Sequence, residues 1–128
     1  MKLDTIHHVA IIVSDYERSK EFYVNKLGFE VIRENYRPGR DDWKLDLRLN
    51  DSTELELFAI KNAPARPSYP EAQGLRHLAF KVDSVPEALE WLHSRGIKTS
   101  DLMPIPYTEN EFVAFFWDPD GTPLELHE

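Results

Sequence analysis

A segment that returns after 69 residues constrains this chain more than any other feature. His8-Val9-Ala10-Ile11-Ile12-Val13 comes back as His77-Leu78-Ala79-Phe80-Lys81-Val82. Asp51-Ser52-Thr53-Glu54-Leu55-Glu56-Leu57 comes back at the same spacing as Asp120-Gly121-Thr122-Pro123-Leu124-Glu125-Leu126. Between them, Leu27-Gly28-Phe29 is matched by Arg95-Gly96-Ile97 with the spacing shorter by one. The period is too long for the usual solenoid repeats. The expectation is therefore two copies of one supersecondary module within a single domain covering residues 1–128, a length that suits one core. Module 1 lies at about 5–60, a linker carrying Pro64, Pro67 and Pro70 at 61–74, and module 2 at about 75–128.

Each module reads as a strand, a helix and three strands, which places the chain in the α+β class as two βαβββ modules. Residues 6–13 are β-branched and open the first copy as a strand. Ser14-x-x-Glu17 has the pattern of a capping box, followed by Phe22, Tyr23 and Leu27 at helical spacing and Gly28 at the left-handed stop. Ser84-x-x-Glu87, Ala88, Leu89, Leu92 and Gly96 repeat that punctuation. Trp43, Leu45, Leu47 and Leu49 alternate with Lys44, Asp46, Arg48 and Asn50, the period of a strand with one buried face. A turn at Asn50-Asp51-Ser52 leads into a strand over 54–60, and Asp118-Pro119-Asp120-Gly121 joins strands over 112–117 and 122–127.

Strand alternation then separates the chemistry from the core. If Val9, Ile11, Val13 and Leu78, Phe80, Val82 pack on the helices, His8 and His77 point the other way. By the same alternation Leu55, Leu57, Leu124 and Leu126 take the helix side, which leaves Glu56 and Glu125 on the face of the two histidines. In a twisted, curved sheet that face is concave. Each His precedes its Glu by 48 residues, so the pairs are repeat-equivalent. Solvation alone seldom produces two such pairs on one face, and His8, Glu56, His77 and Glu125 are the candidate metal ligands.

Composition narrows the partners. The chain has 15 basic and 23 acidic residues, a net charge of −8, which repels nucleic acid and anionic membrane surfaces. With no cysteine, thiolate ligands, disulfides and cysteine nucleophiles are excluded, leaving imidazole and carboxylate donors. The apolar runs, Val9 to Val13 and Phe112 to Trp117 among them, are too short for a secretory core or a membrane span, so a cytoplasmic location is expected by default.

The chain resembles the vicinal-oxygen-chelate superfamily, close to small bacterial glyoxalase-I-like metalloproteins. The resemblance rests on His8-Val9-Ala10 with Asp15 to Gly28, Leu55-Glu56-Leu57, Arg76-His77-Leu78-Ala79-Phe80, and Trp117-Asp118-Pro119-Asp120-Gly121 through Leu124-Glu125-Leu126. It implies the glyoxalase/bleomycin-resistance/dioxygenase fold, with curved mixed sheets around a central metal cleft. It implies one divalent ion held by His8, Glu56, His77 and Glu125, with nickel or zinc foremost and cobalt or manganese compatible with the donors. The implied activity is that of a lactoylglutathione lyase: isomerisation of a small α-oxo-carbonyl or thiol hemithioacetal by proton transfer through a metal-bound enediolate. Glu125 would be the general base and Glu56 its partner across the substrate. The implied partners are a small-molecule substrate and a second subunit, since relatives are usually homodimers, with modules paired within a chain or exchanged between chains. Methylmalonyl-CoA epimerases are similar but usually carry glutamine at the place of Glu56. Drug-sequestering bleomycin-resistance proteins share the fold and generally lack the metal set.

One part of the family pattern is missing. Glutathione-using relatives commonly have arginine four residues after the first metal His and asparagine four after the first metal Glu, where this chain has Ile12 and Ile60. A cation and an amide suited to glutathione are thereby lost. Lys44, Arg66, Arg76 and Tyr107 are the candidates for gripping an anion instead, although Arg76 has the alternation of the helix side.

Overall fold

The computed structural model describes residues 1–128, and the chain divides into two compact units, 1–64 and 65–128. The first runs β1 (His8–Ile12), α1 (Tyr16–Lys20), a π-helical segment (Glu21–Lys26), β2 (Glu30–Arg37), β3 (Asp42–Arg48) and β4 (Glu54–Ala59). The second runs β5 (Leu78–Lys81), α2 (Val85–Ser94), β6 (Met103–Pro104), β7 (Phe112–Trp117) and β8 (Pro123–His127). Each unit holds one four-stranded mixed sheet, ordered β1-β4-β3-β2 in the first and β5-β8-β7-β6 in the second. In both, the opening strand pairs in parallel with the closing one and the rest is antiparallel. The duplicated βαβββ reading is thus the observed architecture. Neither helix is long and apolar enough to cross a membrane.

Each unit has its own core on the helix side of its sheet. In the first it is made of Val13, Phe22, Tyr23, Leu45, Leu47, Leu55 and Leu57. In the second it is made of Val85, Leu92, Ile97, Ala114, Phe116, Leu124 and Leu126. The hydrophobic alternation read from the sequence accounts for these sets, because a strand sends successive side chains to opposite faces.

The helix ends show how the repeat was kept through a one-residue difference. In the second unit the Ser84 hydroxyl accepts the Glu87 N–H at 3.3 Å, as expected. Gly96, at φ +73°, closes α2 with Ile97 N–H donating to Leu92 C=O and Gly96 N–H to His93 C=O, the Schellman pattern. In the first unit the cap is Asp15 and not Ser14: the Asp15 carboxylate accepts the Arg18 N–H at 3.0 Å. Asp15 is the repeat equivalent of Ser84, and a carboxylate caps as well as a hydroxyl. From Asp15 to Gly28 is thirteen positions, but from Ser84 to Gly96 only twelve. The extra residue is absorbed by widening the turn: Leu27 N–H donates to Phe22 C=O, five residues back, and the segment is π-helical. The wider turn also lets the adjacent Phe22 and Tyr23 both face the core. Replacing Ser84 by alanine should cost about 1 kcal/mol of unfolding free energy, read by chemical denaturation. A cost near zero would show that the cap is idle.

Two strand expectations need correction. Trp43 was expected in the buried set with Leu45 and Leu47, but it is 39% exposed and stacks on Tyr16 at a centroid distance of 5.3 Å. It sits at the strand's beginning, where aromatic neighbours rather than the core cover it. Asp46 was expected to face solvent, yet it is buried. Arg33 Nε donates to its Oδ2 at 2.9 Å and the Lys44 ammonium lies 3.3 Å from Oδ1. A carboxylate tolerates burial when two cations replace its water.

The turns that bring the closing strands back are built from side-chain acceptors. Asn50 Oδ1 accepts from Ser52 and Thr53 N–H, and Asp118 Oδ1 from Asp120 and Thr122 N–H, all at 2.8–2.9 Å. These short loops hold β4 and β8 in register beside β1 and β5.

Candidate functional site

The register places each Glu beside a small neighbour on the opening strand. Ala10 pairs with Glu56 on β1/β4, and Ala79 with Glu125 on β5/β8. An alanine leaves the carboxylate uncovered, so a histidine two residues earlier on the same face can reach it. His8 Nδ1 stands 3.4 Å from Glu56 Oε2, and His77 Nε2 stands 2.8 Å from Glu125 Oε2. Both carboxylates are only 7% exposed, whereas His77 is half-buried and His8 open. The structure therefore brings together His8 with Glu56 in one unit and His77 with Glu125 in the other.

The donor chemistry fits a divalent ion. Bonds of about 2.1 Å put neighbouring donors roughly 3.0 Å apart at right angles and roughly 3.4 Å apart tetrahedrally. The separations 3.4 Å and 2.8 Å span those two cases. In the first unit a third donor joins: His7, His8 and Glu56 each offer an atom, all within 4.8 Å of one another, and the group could hold a metal ion. His7 Nδ1 lies 2.9 Å from His8 Nδ1, a contact in which one ring must carry the proton.

His7 was missed by sequence reasoning because adjacent strand residues diverge. It precedes β1, where the alternation has not begun, so its ring returns to its neighbour. The His7-His8 doublet was the available signal. Arg76 obeys the same logic in the second unit. It precedes β5, the strand alternation does not govern it, and it lines a cavity together with His77. The expectation that it faces the helix side is corrected on that ground.

The two carboxylates differ in their surroundings. Glu56 Oε1 is 3.1 Å from the Lys44 ammonium, which also sits against Asp46. Burial alone would pull the Lys44 ammonium down, but its hydrogen bonds to Glu56 and Asp46 outweigh that and hold it above its ordinary value. Lys44 is therefore committed to carboxylates of its own sheet. Glu125 has only imidazoles against its oxygens, His77 at 2.8 Å and His127 at 4.0 Å. Among the other proposed anion grips, Tyr107 is wholly exposed at φ +65°, away from the cavity lining. Arg66 lines the cavity.

Comparison with known proteins bears on the family and the fold. A solved glyoxalase family protein from Enterococcus faecalis superposes with a TM-score of 0.93 at 56% identity, covering 100% of both chains. YwkD of Bacillus subtilis (strain 168), an uncharacterized protein, is 55% identical over 100% of this chain and 99% of its own. A lactoylglutathione lyase of Salmonella typhimurium is 30% identical over 94% of this chain and 90% of its own. The family model for the Glyoxalase/Bleomycin resistance protein/Dioxygenase superfamily matches residues 5–126. On this match, and with the fold and paired donors in place, the chain belongs to the glyoxalase/bleomycin resistance protein/dioxygenase superfamily.

Proposed function

We propose that this protein is a divalent-metal-dependent isomerase or lyase of the glyoxalase I type, acting on a small α-oxo-carbonyl compound or its thiol hemithioacetal. The observation that carries the reading is duplication. Each module independently sets one imidazole nitrogen and one carboxylate oxygen on the same sheet face at the spacing of neighbouring ligands. The similarity to a lactoylglutathione lyase over most of the chain supports the reaction class.

His8, Glu56, His77 and Glu125 would hold the ion, shared between modules of one chain or exchanged in a homodimer, in the cytoplasm. When bound, an ion suited to nitrogen and oxygen donors, nickel or zinc first and cobalt or manganese next, would supply a Lewis acid toward a carbonyl oxygen. The chain's own contribution is proton transfer. Glu125 is the general base: its carboxylate is nearly buried, so a substrate that covers it excludes the remaining water. Glu56, on the other module, is held in its orientation by Lys44. His77 lines the cavity next to which Glu125 is held, so a carbonyl compound in that cavity is within the base's neighbourhood.

Metal analysis of the purified protein tests the site directly. About one bound divalent ion per chain is expected, and His77→Ala should lose it while keeping its fold by circular dichroism. Protein without a stoichiometric ion after exposure to each of nickel, zinc, cobalt and manganese would end the reading. A panel of hemithioacetals against acyl-CoA esters then separates a glyoxalase-type reaction from an epimerase on the same residues.

A further inference from the structure

The second unit contains a cavity of about 380 Å³ on the ligand face of its sheet. Its floor is Phe115 and Trp117 of β7, which alternate with the buried Ala114 and Phe116 and so point away from the core. His77 forms one side, packed edge-to-face on Phe115 at 5.3 Å. The linker contributes Arg66 and Tyr69 to the lining, and Arg76, just before β5, joins them. The linker is thus part of the pocket, not merely a tether.

The wall is cationic. Arg76 Nε donates to Glu71 Oε1 at 2.6 Å, so one charge of this pair is balanced. Arg66 has no such partner: its Nη2 donates to the backbone carbonyls of Arg76 at 2.7 Å and Leu75 at 3.4 Å. Those bonds fix the guanidinium plane and leave Nε and Nη1 without a protein acceptor. The lining itself carries two guanidiniums, Arg66 and Arg76, against one carboxylate, Glu71, with Glu125 beyond His77, in a chain whose net charge is −8. A guanidinium held rigid by two carbonyls is prepared to take an oxyanion through a fork of N–H groups.

We propose that this cavity is the anion subsite of the substrate pocket. It would bind an organic oxyanion whose charged end lies against Arg66 and whose planar apolar part lies against Phe115 and Trp117. This rests on the proposed metal reading, because His77 belongs to both the cavity and the ligand set. It replaces the cation and amide that Ile12 and Ile60 do not provide. The volume lies near the lower end of the roughly 300–1,000 Å³ usual for ligand pockets. It therefore suits a small acid with its α-oxo-carbonyl group attached, rather than a whole nucleotide-bearing thioester.

Calorimetric titration of the full-length protein with benzoylformate, its uncharged methyl ester and phenyl phosphate tests the assignment. Each titration is run with and without EDTA, and bound metal is measured in the same samples. Benzoylformate should bind at least tenfold more tightly than the ester, and that preference should survive EDTA. Arg66→Gln, which keeps an amide donor for the Arg76 carbonyl, should reduce acid binding at least tenfold and leave the ester unchanged. Tighter, Arg66-dependent binding of phenyl phosphate would identify the oxyanion as a phosphate; weaker binding would identify it as a carboxylate. Equal affinity for acid and ester in the unmodified protein with EDTA present would overturn the proposal, whatever the variant does. Absence of bound metal with Arg66-dependent binding intact would remove the metal reading and leave the anion subsite standing. A stoichiometric ion with no Arg66 dependence would do the opposite.

Discussion

Glu125→Gln should lower turnover of a methylglyoxal–thiol hemithioacetal by about 10²–10⁴-fold, the usual loss when a general base is removed. The amide keeps the size and one oxygen donor of the carboxylate but cannot accept a proton from carbon. Glu56→Gln should lose less, because a lysine already engages one of its oxygens. The Lys44 ammonium stands 3.1 Å from Glu56 Oε1 and so already engages one of the two oxygens that could take a proton. Glu125 is in contact with imidazoles alone, at 2.8 and 4.0 Å, and the charge of Arg76 reaches it only from farther off. Steady-state kinetics on both variants, with metal content measured on each preparation, separates loss of the base from loss of a ligand. Glu125→Gln with unchanged turnover and unchanged metal would overturn the assignment. A larger loss in Glu56→Gln, with its ion retained, would transfer the role to the other module.

Duplication made the architecture legible, since two copies of one pattern check each other. The spacing of 69 aligned both strand pairs, and the alternation of Leu55-Glu56-Leu57 and Leu124-Glu125-Leu126 separated core from site without any further information. The paired donors His8 with Glu56 and His77 with Glu125 follow from those two periodicities. What alternation cannot describe is the residue just outside a strand. His7 and Arg76 each precede the opening strand of a module, and both come to the ligand side where strict alternation would send them away. Burial of Asp46 was hidden for a different reason. Its environment is made by Arg33 from β2 and Lys44 from its own strand, and β2 has no clean alternation of its own. The cavity wall was hidden because residues 66–76 carry no periodicity, so only the folded chain puts Arg66 in one lining with Phe115 and Trp117.

Truncation of either leucine that precedes a site glutamate should cost about 2–5 kcal/mol of unfolding free energy, the range for emptying a filled core position. Leu55 and Leu124 are repeat equivalents, each with no exposed surface and each next to the carboxylate that its strand presents on the opposite face. Leu→Ala removes the apolar contacts behind the sheet, and surrounding strands held by ladder hydrogen bonds close the gap only in part. A cost of 3 kcal/mol corresponds to a fall in Tm on the order of 10 °C for a chain of this length. Ile12 supplies the contrast, because it has a similar volume but lies on the ligand face and is 54% exposed. Ile12→Ala should stay within about 0.5 kcal/mol of the parent, the usual range for surface changes. Differential scanning calorimetry of the three variants checks the face assignment itself. Were Ile12→Ala to cost as much as Leu124→Ala, the ligand face would be part of a packed interior, and an open site for metal and substrate on that face would be ruled out.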